Sequence, residues 1–375
     1  MKACIITYSS AVNYGAILQT YGLYKVLQNN HVETTVIDYV PERYDYDSID
    51  YKEKLIKSSL RWKKIPIVRR LWADKILKES ILNRIVFRDF LEKNIPLTKK
   101  YRSSAELRND LPLADVYITG SDQVWNSDFL WSGIIDGPFY FDFLPNYCRR
   151  ISYASSFGKN KLNEKEVYYV KKYLEKYSAI SVREKSGVKL LSDIGIKADE
   201  VLDPTLLAGK ECFKQLIPSR LLEKKTFFLL FQIKYDKKLY EIANLIAKKN
   251  GMTLITIFPS FHNSQKCKGK KIVLPAIEDW LWYFYNAEFI ITDSFHATAF
   301  SIMFNKQFVS SGFAYLNGRI TNLLEITNLQ NRLLTSYDCH NLLELFNNKI
   351  DYKDVNDRIE ICRNFSLNWL MGSIR

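Results

Sequence analysis

Paired cysteines are missing from this 375-residue chain. Its six, Cys4, Cys148, Cys212, Cys267, Cys339 and Cys362, are scattered, with no Cys-x-x-Cys and no Cys/His set at zinc spacing. That excludes a zinc module and fits reduced thiols in a cytoplasm. Long apolar runs are missing as well. No segment approaches the ~18 apolar residues of a membrane span, and "MKACIITYSS" at the amino terminus is too short an apolar run for a signal peptide. Neither export nor a bilayer crossing is expected. No internal repeat, low-complexity tract, nucleic-acid-binding motif or G-x-G-x-x-G fingerprint occurs. Histidine is scarce, at four.

What is present is a globular composition, 47% hydrophobic with 14% aromatic residues, at a length that fits two domains. The net charge of +13 is concentrated: between Lys52 and Lys78, ten Lys/Arg stand against Glu53 and Asp74. This segment interleaves Trp62, Trp72, Leu and Ile with its basic residues, as interfacial amphipathic helices do. An anionic membrane surface is one expected partner of residues 52–78, and an ordinary solvated face is the competing reading. Nucleic acid is not expected.

Apolar strand-like runs alternate with segments of helical periodicity: "KACIITY" (2–8), a helix over 15–29, "VETTVIDYV" (32–40), then "ADVYITG" (114–120), "RISYASSF" (150–157), "AISVRE" (179–184) and "ADEVLDP" (198–204). A basic helical insertion is expected at about 50–95. The pattern restarts with "TFFLLFQI" (226–233), a helix over 237–251, strands at 252–258 and 271–275, a helix over 276–287, and "FIITDSFHATAF" (289–300) leading to "QFVSSG" (307–312). The expectation is an α/β protein of two Rossmann-like domains facing a cleft, GT-B-like, at 1–205 and 206–375. Residues 205–225 carry the boundary, and a last helix over 355–374 crosses back.

In such sheets ligands sit at the carboxyl ends of strands, where loops enter helices. After the strand ending at Thr292, Asp293 or Ser294 can cap a helix whose first turn holds His296. Free N–H groups and the helix dipole there suit a phosphate or carboxylate, and an imidazole beside them suits proton transfer. A packed core histidine is the alternative. Arg183, at the end of another strand, suits bidentate grip of an anion, or else a surface ion pair. Arg319 lies near a helix start, where a cation opposes the dipole unless an anion is close. Asn13 and Gly15 lie in a small-residue loop entering the first helix, and Gly120, Ser121 and Asp122 form a polar turn after a strand.

These stretches occur in an order that resembles the polysaccharide pyruvyl transferase family: "NYGAILQTYGL", "GSDQVWN" (120–126), "SYASSFG" (152–158), "SVREKSG" (181–187), "VLDPTLL" (201–207) and "TDSFHATAFSIMFNKQF" (292–308). The resemblance spans nearly the whole chain. It implies a GT-B-like fold and transfer of a pyruvyl group from phosphoenolpyruvate to a sugar, giving a cyclic pyruvate ketal on a cell-surface polysaccharide or its lipid-linked precursor. It implies that His296 shuttles protons, that Arg183 and Arg319 hold the donor in the carboxyl-terminal half with Asp293 and Ser294, and that the acceptor faces Asn13, Gly15, Gly120, Ser121 and Asp122. Phosphoenolpyruvate is then the donor co-substrate, with no cofactor and no metal, and the location is cytoplasmic, at the inner face of the membrane. A nucleotide-sugar glycosyltransferase and a non-catalytic glycan-binding protein are the alternatives.

Overall fold

The structure, a computed structural model, describes residues 1–41, 81, 84–129, 135–219, 226–260, 264, 267, 269–312 and 318–375. The basic segment 52–78 lies outside the described residues. Of the expected insertion, a helical run at 84–94 is described.

The first half is built on β1 (Lys2–Ile6), β2 (Glu33–Tyr39), β3 (Leu97–Tyr101), β4 (Val116–Thr119), β5 (Arg150–Ser155), β6 (Ala179–Val182) and β7 (Asp199–Glu200). Helices α1 (Tyr14–Asn29), α2 (Ser104–Asn109), α3 (Glu164–Leu174) and α4 (Lys185–Asp193) connect them, and α5 (Pro204–Lys214) follows. The strands are parallel in the order β3-β2-β1-β4-β5-β6-β7. The second half runs β8 (Phe227–Phe231), α6 (Lys237–Lys249), β9 (Thr253–Phe258), β10 (Lys271–Val273), α7 (Ile277–Asn286), β11 (Phe289–Thr292), α8 (Phe295–Met303), β12 (Gln307–Ser311), α9 (Gly318–Ile326), β13 (Leu333–Leu334), α10 (Cys339–Asn347) and α11 (Tyr352–Ile374). Its parallel order is β10-β9-β8-β11-β12-β13.

Both sheets are doubly wound, so each reverses direction once: between β1 and β4, and between β8 and β11. Helices cover both faces, which is why "FFLLF" and "FIIT" are buried at every residue rather than at alternate ones. The two-domain α/β architecture expected from the sequence is the fold of the protein. β3 and α2 were not expected: "LTKKY" puts two lysines on an edge strand, which protects the edge but hides the apolar signal.

Part of the segment expected to separate the halves is α5. Asp203 caps it, its carboxylate accepting from Thr205 N at 2.9 Å, and Pro204 sits at the first position, where a missing N–H costs nothing. Helix α11 crosses back as expected. Leu202 N donates to its Ser366 Oγ at 2.9 Å, and its Trp369 Nε1 donates to Asp199 Oδ2 at 2.9 Å.

One hydrophobic cluster runs through both halves. At its centre the Tyr14 ring, from the first turn of α1, stacks on fully buried Trp280 of α7 with centroids 5.3 Å apart, and its hydroxyl donates to Pro275 O at 2.6 Å. A buried phenol needs such a partner, and this one ties the start of α1 to the second half. All six cysteines are free thiols, and burial pushes Cys4 and Cys212 up to about 11. Among the described residues, no helix is long and apolar enough to cross a membrane.

Candidate active site between the two halves

His296 occupies the first turn of α8, whose N-cap is Ser294, with Ser294 Oγ accepting from Ala297 N at 3.4 Å. Its imidazole meets two groups of the first half. Nε2 lies 3.6 Å from Asp203 Oδ2, an ion-pair distance rather than a hydrogen bond. On the other side is Gly15, where an added Cβ would fall 1.9 Å from His296 Nδ1. Asn13 caps α1 there, accepting from Gly15 N at 2.8 Å and Ala16 N at 3.3 Å. Asn13 and Ser294 therefore build the helix starts that bring Gly15 and His296 together.

Asp203 is the hub. Its Oδ2 accepts from Ser121 Oγ at 3.0 Å and from Arg183 Nη1 at 3.0 Å, and its Oδ1 accepts from Thr205 Oγ1 at 2.7 Å. Burial alone would raise its pKa. His296, Arg183 and the Thr205 amide overcome that and hold the carboxyl well below the usual carboxylate range. The family-like stretch "VLDPTLL" contains Asp203, but its sequence signal, an acid before Pro at a helix start, points only to capping.

Arg183 is fully enclosed, with 2% of its side chain exposed. It is not the surface ion pair that its neighbour Glu184 suggests. Besides Asp203 it faces Asp122 at 3.7 Å and Glu184 at 3.6 Å, and the Phe295 ring lies against its guanidinium, 4.4 Å from the ring centroid. Burial pulls its pKa down, and the three carboxylates more than reverse that. Its Nε and Nη2 make no hydrogen bond among the described residues, and neither does His296 Nε2. Orphaned donors on a buried cation are costly, so they mark a place where an acceptor belongs.

Arg319, from α9 of the second half, closes the group. With its carboxamide oxygen turned toward Arg319, Gln123 accepts from Nη1 at 2.9 Å and Nη2 at 3.3 Å. Burial and the Arg183 guanidinium push Arg319 down to about 10, while Asp122, Glu184 and Asp203 pull the other way. The structure thus brings Arg183, His296 and Arg319 together, along with Ser121 and Asp122 from the end of β4. Gly120 makes the turn there: its N–H donates to Ile6 O at 2.8 Å, and a Cβ would lie 3.0 Å from that of Thr7. Asp293 goes elsewhere. Its Oδ1 accepts from Ile233 N at 2.7 Å, and it lines a separate cavity. Sequence reasoning missed Asp203, Glu184 and Gln123.

A cleft of about 210 Å³ opens on His296, walled by Val12, Asn13 and Gly15 of the first half and by Ile233, Trp280 and Ser294 of the second. Among the described residues, no group of three or more His, Cys, Asp or Glu forms a metal-binding cluster. The site offers a histidine with a buried acidic partner at a cleft, backed by two guanidinium groups. That set suits proton transfer to an anionic substrate.

A family model described as polysaccharide pyruvyl transferase matches residues 13–315, a span that takes in Asn13, Gly15, Ser121, Asp122, Arg183, Asp203 and His296 and ends four residues before Arg319. The protein belongs to the polysaccharide pyruvyl transferase family. Members of that family are transferases, and the order of motifs along the chain agrees with the match. No curated protein matches the sequence. Among solved structures, a UDP-N-acetylglucosamine 2-epimerase from Rickettsia bellii aligns over 100% of this chain and 97% of its own, at 10% identity and a TM-score of 0.54. The UDP-GlcNAc 2-epimerase from Neisseria meningitidis, solved with UDP-GlcNAc bound, aligns over 100% of this chain and 99% of its own, at 11% identity and a TM-score of 0.52. A similar enzyme described for Listeria monocytogenes aligns over 100% and 95%, at 10% identity and 0.54. At such identities the likeness is one of fold.

Gly15 gives this pyruvyl transferase family member a test of whether His296 must stay where it is. Gly15→Ala places a methyl where the imidazole stands. The expected result is a fall in turnover of roughly a hundredfold, with overpacking costing about 1–3 kcal/mol of stability in a denaturant titration.

Proposed function

We propose that the protein transfers a pyruvyl group from phosphoenolpyruvate to two hydroxyls of one sugar in a cell-surface polysaccharide or its precursor, releasing phosphate. The observation that carries this reading is the set of buried, unsatisfied N–H groups of Arg183 beside His296. Family membership supports the group transferred.

The donor is an enol ester of phosphate. His296, as imidazolium, gives a proton to its methylene carbon, C3, making a methyl group and leaving C2 electron-poor. Asp203 stabilises that imidazolium before it gives up the proton. A sugar hydroxyl adds to C2 and loses its proton to the now neutral imidazole. The C2–O bond to phosphate breaks, a second hydroxyl of the same sugar closes on C2, and its proton leaves with the phosphate. Arg183 Nε and Nη2, with Arg319, hold the donor's carboxylate and phosphate, so the donor seat draws on both halves of the chain. The acceptor enters by the His296 cleft, past Asn13 and Gly15, with Ser121 and Asp122 beneath. No metal or further cofactor has a part in these steps.

The test is incubation of the protein with phosphoenolpyruvate and a glycan acceptor, following phosphate release and the mass of the product. Acceptor-dependent phosphate release with a ketal-sized mass gain is expected, and its absence sinks the reading. A nucleotide-sugar reaction is the second reading, favoured by full-length likeness to epimerases, one of them solved with UDP-GlcNAc bound. UDP release from UDP-GlcNAc in a parallel incubation would support it instead. Lipid-linked acceptors would bring the protein to the inner face of the membrane, where residues 52–78 meet anionic lipid. Neutralising Lys63, Lys64, Arg69 and Arg70 is then expected to lower sedimentation with anionic liposomes several-fold, and unchanged sedimentation returns this segment to a solvated face.

A further inference from the structure

A second cavity, of about 310 Å³, lies next to the His296 cleft at the carboxyl ends of β8, β11 and β12. The two cavities divide the residues of the same loops: Phe231, Ile233 and Ser294 face the His296 cleft, while Gln232, Lys234 and Asp293 face the second cavity. Tyr235, Asp236, Lys237, Ser311 and Tyr337 complete the wall. This is the switch point of the second sheet, where doubly wound folds bind ligands.

The wall is polar and charge-balanced, two lysines against two aspartates, unlike the guanidinium-backed site beside it. Gln232 is 1% exposed. Its Oε1 accepts from Asp236 N at 3.3 Å, and its Nε2 has no hydrogen-bond partner among the described residues. Asp293 uses Oδ1 for Ile233 N at 2.7 Å and Oδ2 for Lys234 N at a long 3.4 Å, leaving lone pairs to spare. Burial pushes its carboxyl up to about 6 in spite of those amides, a cost that further donors would relieve. An unused amide donor beside an under-used carboxylate matches adjacent hydroxyls of a sugar ring, and two aromatic residues, Tyr235 and Tyr337, line the same cavity. A phosphate would meet two carboxylates here.

We propose that this cavity is a saccharide subsite, in which Gln232 and Asp293 hold a neutral sugar next to the one presented to His296, so that the enzyme selects oligosaccharide acceptors. The inference rests on the pyruvyl-transfer reading for its role, but the binding itself can be measured without turnover. Saturation-transfer NMR and calorimetry with a panel of neutral mono- and disaccharides would test it, with UDP as a separate arm. Gln232→Glu keeps the acceptor for Asp236 N and replaces the donor with a carboxylate oxygen, adding a negative charge to the wall; Asp293→Asn is near-isosteric and removes one. The expected result is a disaccharide that binds at least tenfold more tightly than either monosaccharide, weakened tenfold or more by each variant. No saccharide binding to the wild-type protein, equal binding by the folded variants, or UDP binding that the variants weaken would each overturn the subsite. Saccharide binding that follows these variants, in a protein that releases no phosphate from phosphoenolpyruvate, would leave the subsite standing and remove the pyruvyl-transfer reading. Turnover with disaccharide acceptors whose KM is the same in both variants would do the reverse.

Discussion

His296→Ala is expected to lower acceptor-dependent phosphate release by roughly 10²–10⁴-fold, the range over which a positioned acid–base group contributes. The imidazole is 7% exposed and lines a cleft, so its removal leaves a space that water can enter rather than a sealed cavity. The far-ultraviolet circular dichroism is therefore expected to stay unchanged. His296→Gln, closer in size, separates lost chemistry from lost packing: the same fall in both variants assigns it to the proton. Activity within a few-fold of wild type in either variant would sink the role given to His296.

Asp203→Ala has the largest expected effect on stability. It removes the partner that Arg183 and Ser121 share, and leaves the Arg183 guanidinium buried with carboxylates no nearer than 3.6 Å. Removing one member of a buried ion pair costs about 3–5 kcal/mol, and the lost cap on α5 adds about 1 kcal/mol. Asp203→Asn can keep the cap through its one oxygen, but its amide nitrogen then replaces the oxygen that accepts from Ser121 and Arg183, so it loses the charge and those two hydrogen bonds and its stability lies between wild type and Asp203→Ala. The pH dependence has a definite sign. Because the folded state depresses the Asp203 pKa, its stabilisation is fully present above the unfolded value of about 4 and is lost as pH falls toward the lower folded value. Denaturant titrations at pH 7 and pH 3 are thus expected to show the gap between wild type and Asp203→Asn narrowing at the lower pH. A gap that is constant or widens contradicts the ion-pair account. Activity distinguishes this residue from a purely structural one. In the proposed reaction Asp203 acts by positioning His296, so Asp203→Asn is expected to lower kcat far more than it changes KM.

Much of the fold was legible because strands buried on both faces read as unbroken apolar runs, and because Ser294 caps its helix as expected. The strand expected at 198–204 is only Asp199–Glu200, because Pro204 already opens α5. Edge strand β3 was not legible, since its lysines suit solvent. At the site, "FIITDSFHATAF" placed His296 correctly at a strand-to-helix junction. Its partner was hidden. Asp203 looks like a cap in the sequence, and it is one; only the packing of α5 against α1 and α8 shows that its other oxygen faces Ser121, Arg183 and His296. Arg183 misled in the opposite sense, because a neighbouring Glu184 is the usual mark of an exposed pair, whereas three carboxylates and the Phe295 ring enclose it. Local pattern reports what a residue does for its own helix, and tertiary contact alone reports its second task.

The imidazole belongs to the second sheet's helix α8, whereas the carboxylate it faces and the glycine it rests on belong to the first half. The pair therefore exists only while α5 and α1 of the first half stay packed against α8 of the second, an arrangement that the shared hydrophobic cluster and the Tyr14–Trp280 stack hold in place. Acid and counter-ion are held in common by the two sheets, so neither half carries the site by itself.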